Sequence, residues 1–220
     1  MMKKELLFEY IHQGIETPAK KLPFITISRD YGCPGQQFAQ AVVDQLNSRL
    51  SDAEPDWNKV DKEIISLAAG ELNLDPELVQ RLISQEDQGF FYDLMTSFSN
   101  SYVPADIQAK KKVAAIIRSL ANKGNMVLLG RGGVILTRHM PQGMHIRLMA
   151  GKEWRTEQVM AMHNCSRSDA ISMMQTVDRE RIYLRSFFAG EEPETSHYDL
   201  ILNAERLTVD AMVKTALAAF

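Results

Sequence analysis

The chain has 220 residues, 45% of them hydrophobic and 24% charged, with a formal net charge of -3. That length suits one α/β domain with a sizeable insert, and the balance excludes a disordered chain and any general attraction to nucleic acid. Cys33 and Cys165, far apart and outside any C-x-x-C spacing, exclude a disulfide scaffold and a structural zinc site and fit a reducing cytosol.

Along the chain, Leu6, Leu7, Tyr10 and Ile11 recur at helical spacing until Gly14 and Pro18. They predict a short amphipathic arm over residues 1–20, which would pack on the domain or on a partner, a second copy in a homodimer included. Glu5 and Glu9 interrupt its apolar run, so neither a leader nor a membrane span is expected, and the cytoplasm is the expected compartment. Residues 21–220 then read as one domain. "FITIS" from Phe24 to Ser28 is a short β-branched run behind Pro23, which predicts a buried parallel strand. From Gln36 onward Phe38, Val42, Leu46 and Leu50 sit four apart, and Ala39 and Val43 widen the stripe into a helix face able to cover a sheet.

After the polar break "SDAEPD", the stretch "WNKVDKEIISLAAGEL" predicts a short strand or turn running into a helix. In "DPELVQRLI" Asp75 caps and Pro76 takes the first turn. "SQEDQGFFYDLMTSFSNSYVP" has aromatic residues without a clean period and reads as a partly helical region. Together these form an insert over about 57–104 that would line a substrate cleft. "ADIQAKKKVAAIIRSLANKG" predicts a helix ending at Gly124, "NMVLLG" a strand turning at "GRGG", and "MHIRLMA" a strand followed by a helix around Trp154. A long helical stretch from Arg167 to Phe188, a strand at "YDLILN" and a closing helix at "VDAMVKTALAAF" complete the series. Strands alternating with helices imply a mostly parallel sheet covered on both faces. The Met-rich "VMAMHNCSRSDAISMMQ" reads as adaptable packing. His12, His139, His145, His163 and His197 never cluster at ligand spacing, so no dedicated metal site is expected.

The loop after the first strand, "RDYGCPGQQ", has the place of a phosphate loop. In the pattern G-x-x-x-x-G-K-[ST], backbone N–H groups and a helix N-terminus surround a phosphate, the Lys neutralises charge and the hydroxyl holds magnesium. Laid on it without gaps, Pro34 falls at the second glycine, Gly35 at the lysine and Gln36 at the Ser or Thr. Gly32 and Gly35 still permit the turn, and a helix still starts near Gln36. Pro34 removes one donor. Cys33 reads as a small loop residue, although a helix N-terminus could lower its pKa. A plain strand-to-helix turn with glycines for close packing stands beside the phosphate-binding reading.

Taken together, "ITISRDYGCPGQQFA", "VDKEII", "VLLGRGGVIL" and "DRERIYLRSFFAGEEPETSHYDLILNAERLTVDAMV" resemble the cytidylate kinase-like family, a branch of the P-loop nucleoside monophosphate kinases. Members of that branch resemble "ISREYGSGGREIA" at the first block, so the resemblance itself implies a loop without the lysine. It implies a P-loop NTPase-like three-layer α/β sandwich with a helical monophosphate-side insert and a helical lid over about 165–190. Pro34, where a second glycine is usual, and Gln36, where an arginine is usual, depart from the branch.

The resemblance further implies donor-phosphate contacts from Arg29, Gly32, Cys33, Gly35, Gln36 and Gln37. Asp61 matches the acidic residue that opens the monophosphate-side helix and would hold the acceptor; a helix N-cap is its other reading. Arg131 in "GRGG" matches the arginine that grips the acceptor, and a guanidinium there can hold a monophosphate bidentately. "DRER" resembles the lid signature, with Asp178, Arg179, Arg181 and Arg185. On a regular helix Asp178, Arg181 and Arg185 share a face and Arg179 points away, so Arg181 and Arg185 form the expected catalytic pair, beside Arg131. The other reading of that face is a solvated one stitched by Asp178 and Arg181. The implied activity is phosphoryl transfer from ATP, with magnesium carried by the nucleotide, to a cytidylate-like monophosphate or related small acceptor. The partners would be small-molecule nucleotides, with neither membrane nor nucleic acid. Pro34, Gly35 and Gln36 support a rival of another class, a kinase-derived nucleotide-binding or regulatory module without turnover.

Overall fold

The computed structural model describes residues 22–51, 54–61, 105–189 and 194–220; at 105–112 and 184–189 it describes the backbone alone. The amino-terminal arm and most of the insert, from 62 to 104, lie outside the described residues. Five strands form one sheet: β1 (Phe24–Arg29), β2 (Asn58–Val60), β3 (Met126–Leu129), β4 (Gly143–Met149) and β5 (Leu200–Asn203). All are parallel, in the order β2-β3-β1-β4-β5. β1 is central, with Phe24 opposite Met126 on one side and Gly143 on the other. A strand enclosed on both edges and both faces must be apolar almost throughout, which is why Phe24, Ile25, Thr26 and Ile27 are all buried.

The described helices are α1 (Gly35–Asn47), α2 (Ala105–Lys123), α3 (Gly133–Thr137), α4 (Lys152–His163), α5 (Arg167–Ala189) and α6 (Val209–Ala219). None is long and apolar enough to cross a membrane. The expected stripe of α1 is the buried one: Phe38, Ala39, Val42, Val43 and Leu46 pack on Ile25 and Ile27 and on Met212, Val213 and Ala216 of α6. Fully burying a side chain of the size of Phe38 or Val42 contributes about 1.5–3 kcal/mol. The opposite face of the sheet is covered by α2 and α3. Gly124 ends α2 in the left-handed conformation (φ +77), its N–H donating to the carbonyls of Leu120 and Ala121. The sequence pattern showed no α3; its five residues "GVILT" are too short to display a helical period.

Candidate functional site

β1 delivers the chain at Arg29 to the carboxyl edge of the sheet, where ligands of open parallel sheets bind. There the loop turns. Gly32 has φ +92, and a Cβ on it would lie 2.9 Å from the Arg155 carbonyl oxygen, so only glycine lets the loop rest on the first turns of α4. Cys33 N–H donates to the Asp30 carbonyl at 3.2 Å. Pro34, at φ -76 and ψ 52, centres an inverse γ-turn in which Gly35 N–H donates to the Cys33 carbonyl at 2.8 Å.

Two donors of the expected cradle are therefore used inside the loop itself, and the inward turn of the second, Gly35 N–H, is centred on Pro34. The N–H groups of Gly32, Gln36 and Gln37 meet no acceptor among the described residues. Helix α1 has neither an acidic residue in its first turn nor a side-chain cap, so its positive end stays uncompensated.

A cleft of about 400 Å³ opens over this turn, lined by Gly35, Gln36, Asp61 and three arginines, Arg29, Arg131 and Arg181. Arg131 has φ +56, between Gly130 at +76 and Gly132 at +69. A non-glycine residue in the left-handed region is uncommon and costs on the order of 1 kcal/mol, a strain that clusters at functional sites. The three cations also disturb one another. Burial, then Arg181, lowers the proton affinity of Arg131 to a pKa of about 10, against the pull of Asp61 and Glu180. Burial, then Arg181 and Arg131, holds Arg29 well below the ordinary arginine range. Such a cluster favours an anion, which would relieve both repulsion and desolvation.

Helix α5 meets the loop through Asp178. One carboxylate oxygen accepts from Tyr31 N–H at 2.8 Å, and the other from Arg155 Nη1 at 2.7 Å. Arg181 Nη1 donates to the Arg29 carbonyl at 2.9 Å, and its guanidinium lies 5.5 Å from the centre of the Tyr31 ring. The Asp178–Arg181 pair is present at 3.8 Å, but the face is a docked one, which corrects the reading of it as solvated. Arg179 is exposed and does not line the cleft. Arg185 lies on α5 beyond the described side chains. Asp61 lines the cleft beside Lys59, 3.8 Å away; the helix it would cap lies outside the described residues. Burial, then Asp30, pushes the Cys33 thiol up to about 12, so no helix-terminus effect makes it a nucleophile.

Arg155 and Glu180 escaped the sequence pattern. Arg155 holds the Tyr31 carbonyl at 3.1 Å as well as Asp178. Burial raises the pKa of Glu180, which acts on Arg131. Glu180 was visible inside "DRER", and Arg155 follows the end of β4 by one turn of helix, the only local sign it gives. Where a standard loop holds magnesium through a hydroxyl, this one has the Gln36 amide, and no three His, Cys, Asp or Glu side chains converge among the described residues.

Residues 24–206 match the cytidylate kinase-like family. The chain belongs to that family. Among solved structures it is similar to an uncharacterized protein from Eubacterium ventriosum ATCC 27560, at 18% identity and a TM-score of 0.63, with 90% of this chain and 97% of that chain covered. It is also similar to a shikimate kinase from Bacteroides thetaiotaomicron, at 9% identity and a TM-score of 0.50, with 89% and 96% covered. At these identities the likeness shows the fold, the expected P-loop kinase-like α/β sandwich. A search of curated proteins finds no match. Within the cytidylate kinase-like fold, the cleft lies where β1 and β3 end side by side, bounded by the loop that follows Arg29 and the loop that carries Arg131.

Proposed function

We propose that the chain transfers the terminal phosphoryl group of ATP to a cytidylate-like nucleoside monophosphate or a related small acceptor. The single observation that carries this reading is the convergence of Arg29, Arg131 and Arg181 on one cleft at the open N-terminus of α1. Phosphoryl transfer asks little covalent chemistry of a protein and depends on positioning and charge neutralisation. In this reading the Gln36 and Gln37 N–H groups and Arg29 hold the donor phosphates. Arg131 and Asp61 orient the acceptor, and Arg181, fixed by the Arg29 carbonyl, stabilises charge on the transferring group. Arg185 joins Arg181 as the second lid arginine of this proposal. Magnesium enters with the nucleotide. The family match supports phosphotransfer in general terms; the cytidylate-like acceptor is the finer part of the proposal.

The γ-turn at Pro34 favours the second reading, a nucleotide-binding module without turnover, because it withdraws Gly35 N–H from the ligand. A transfer assay with a panel of triphosphates and monophosphate acceptors, run beside direct binding, separates the two. Turnover with one acceptor, reduced at least tenfold by Arg131→Ala, supports transfer; loss of one charge-assisted contact is worth about that much. ATP binding with no turnover on any acceptor, and acceptor binding indifferent to Arg131→Ala, would leave the module.

A further inference from the structure

In the pattern G-x-x-x-x-G-K-[ST], the first glycine falls on position 29 of this chain and the lysine on position 35. The residues there are Arg29 and Gly35, so cation and glycine have changed places. The exchange is also spatial. A Cβ at Gly35 would lie 3.1 Å from Arg29 Cγ, 3.2 Å from Cδ and 3.4 Å from Nε. The arginine stem therefore lies across the start of α1, over the backbone from which a lysine stem would rise. At its far end, a Cβ on Gly130 would collide with Arg29 Nη1. The guanidinium is thus seated between two backbone segments that carry no side chains, and it lines the cleft. Among the described residues it makes no hydrogen bond or ion pair, although the carbonyl of the same residue is held by Arg181. A part-buried cation needs partners, and the planar fork of a guanidinium can pair with two oxygens of one phosphate.

We propose that Arg29 is the phosphate-neutralising cation of this loop, delivered from the end of β1 in place of the lysine of a standard loop, and that Gly35 and Gly130 are glycines because they seat it. The proposal rests on the phosphoryl-transfer reading and deepens it. It gives the donor-side arginine its structural basis, a seat made by two glycines, at a position that the standard pattern keeps as glycine. It also explains why position 35 has no side chain: a lysine there and Arg29 would claim the same volume.

Binding of tripolyphosphate and of ADP, measured by titration calorimetry, tests this with wild type, Arg29→Ala, Gly35→Val and the double variant, each checked for folding by circular dichroism. Gly35→Val changes no charge and crowds the Arg29 stem, and the double variant separates that effect from direct intrusion into the cleft; Gly35→Ala replaces it if the valine variant does not fold. The expected result is a loss of about tenfold or more for Arg29→Ala, the scale of one charge-assisted contact. Gly35→Val should weaken binding too, and the double variant should bind no more than about twofold worse than Arg29→Ala, as expected for residues acting as a unit. A folded Arg29→Ala protein that loses less than about fivefold, or a Gly35 penalty that adds in full to that of Arg29→Ala, would overturn the proposal. If the wild type binds neither tripolyphosphate nor ADP, the phosphoryl-transfer reading falls with it. If wild type binds and Arg29→Ala binds equally well, only this proposal fails.

Discussion

Arg29 and Arg131 are both held where a guanidinium is uncomfortable, and the direction of their shifts dictates what each should do in solution. A cation whose proton affinity is lower in the folded chain than in the unfolded one opposes folding throughout the range in which it stays charged. Arg29→Met keeps the apolar stem and removes the charge, so it should stabilise the ligand-free protein by about 1 kcal/mol, a rise of roughly 2–4 °C in Tm for a domain of this size. The same variant should lose the thermal stabilisation that tripolyphosphate gives the wild type; a Tm below that of wild type would contradict the argument. For Arg131 the sign concerns the ligand. A bound anion raises its proton affinity, so binding above about pH 10 must take up a proton, and affinity should fall as pH rises through that value. Titrations should therefore give a constant affinity between pH 8 and 9 and a weaker one at pH 11, to the extent that Arg131 touches the anion. No weakening in Arg131→Ala beyond what the remaining groups impose would confirm the assignment.

At the scale of elements, the phosphate loop is shaped as much by α4 and α5 as by its own residues. Asp178 joins all three, since Tyr31 N–H and Arg155 both donate to it, and Arg155 in turn lies against Gly32. Removing the carboxylate leaves a buried N–H and a largely buried guanidinium without their acceptor, a cost of about 2–3 kcal/mol after allowing for partial exposure. Asp178→Ala should lower Tm by roughly 5–10 °C, and Asp178→Asn, which can still accept from Tyr31, by less. Calorimetric scans of the two variants check the order. None of this joint was readable beforehand. Helical spacing placed Asp178 and Arg181 on one face of α5, but a period within one helix does not say which loop, 147 residues away in the chain, that face will meet. Strand β1 and helix α1 were legible for the opposite reason: burial of "FITIS" and of the Phe38 stripe is written into adjacent residues. The missing donor at Pro34 is plain from the residue type, yet the further closure of Gly35 N–H onto Cys33 depends on φ and ψ, and the residue type leaves ψ open.

For the whole molecule, the two faces of the sheet differ in a way that sets its response to acid. The α1 and α6 face is apolar, whereas on the other β1 and β4 place Thr26 beside His145, with Thr26 Oγ1 2.7 Å from Nδ1 and the Phe24 ring edge-on at 6.2 Å. The sequence shows His145 only as one of five scattered histidines; alternation along "MHIRLM" puts it on a sheet face, but only the strand order reveals that this face is covered. Its Nε2 is buried with no hydrogen-bond partner in the described structure. Burial lowers its pKa from the usual 6.5, with His197 acting in the same direction and Asp199 against it. The unfolded chain therefore binds a proton at His145 more readily than the folded one, so stability is present above about pH 6.5 and declines as pH falls through the folded value. One proton limits the slope to about 1.4 kcal/mol per pH unit. Urea midpoints at pH 7.5, 6.5 and 5.5 should fall across the series in wild type, and more gently in His145→Gln, which keeps a polar group for Thr26 but cannot titrate. Parallel declines in the two proteins would place the acid sensitivity away from His145. The pH dependence of the difference between the two proteins isolates the histidine, because every other residue is common to both.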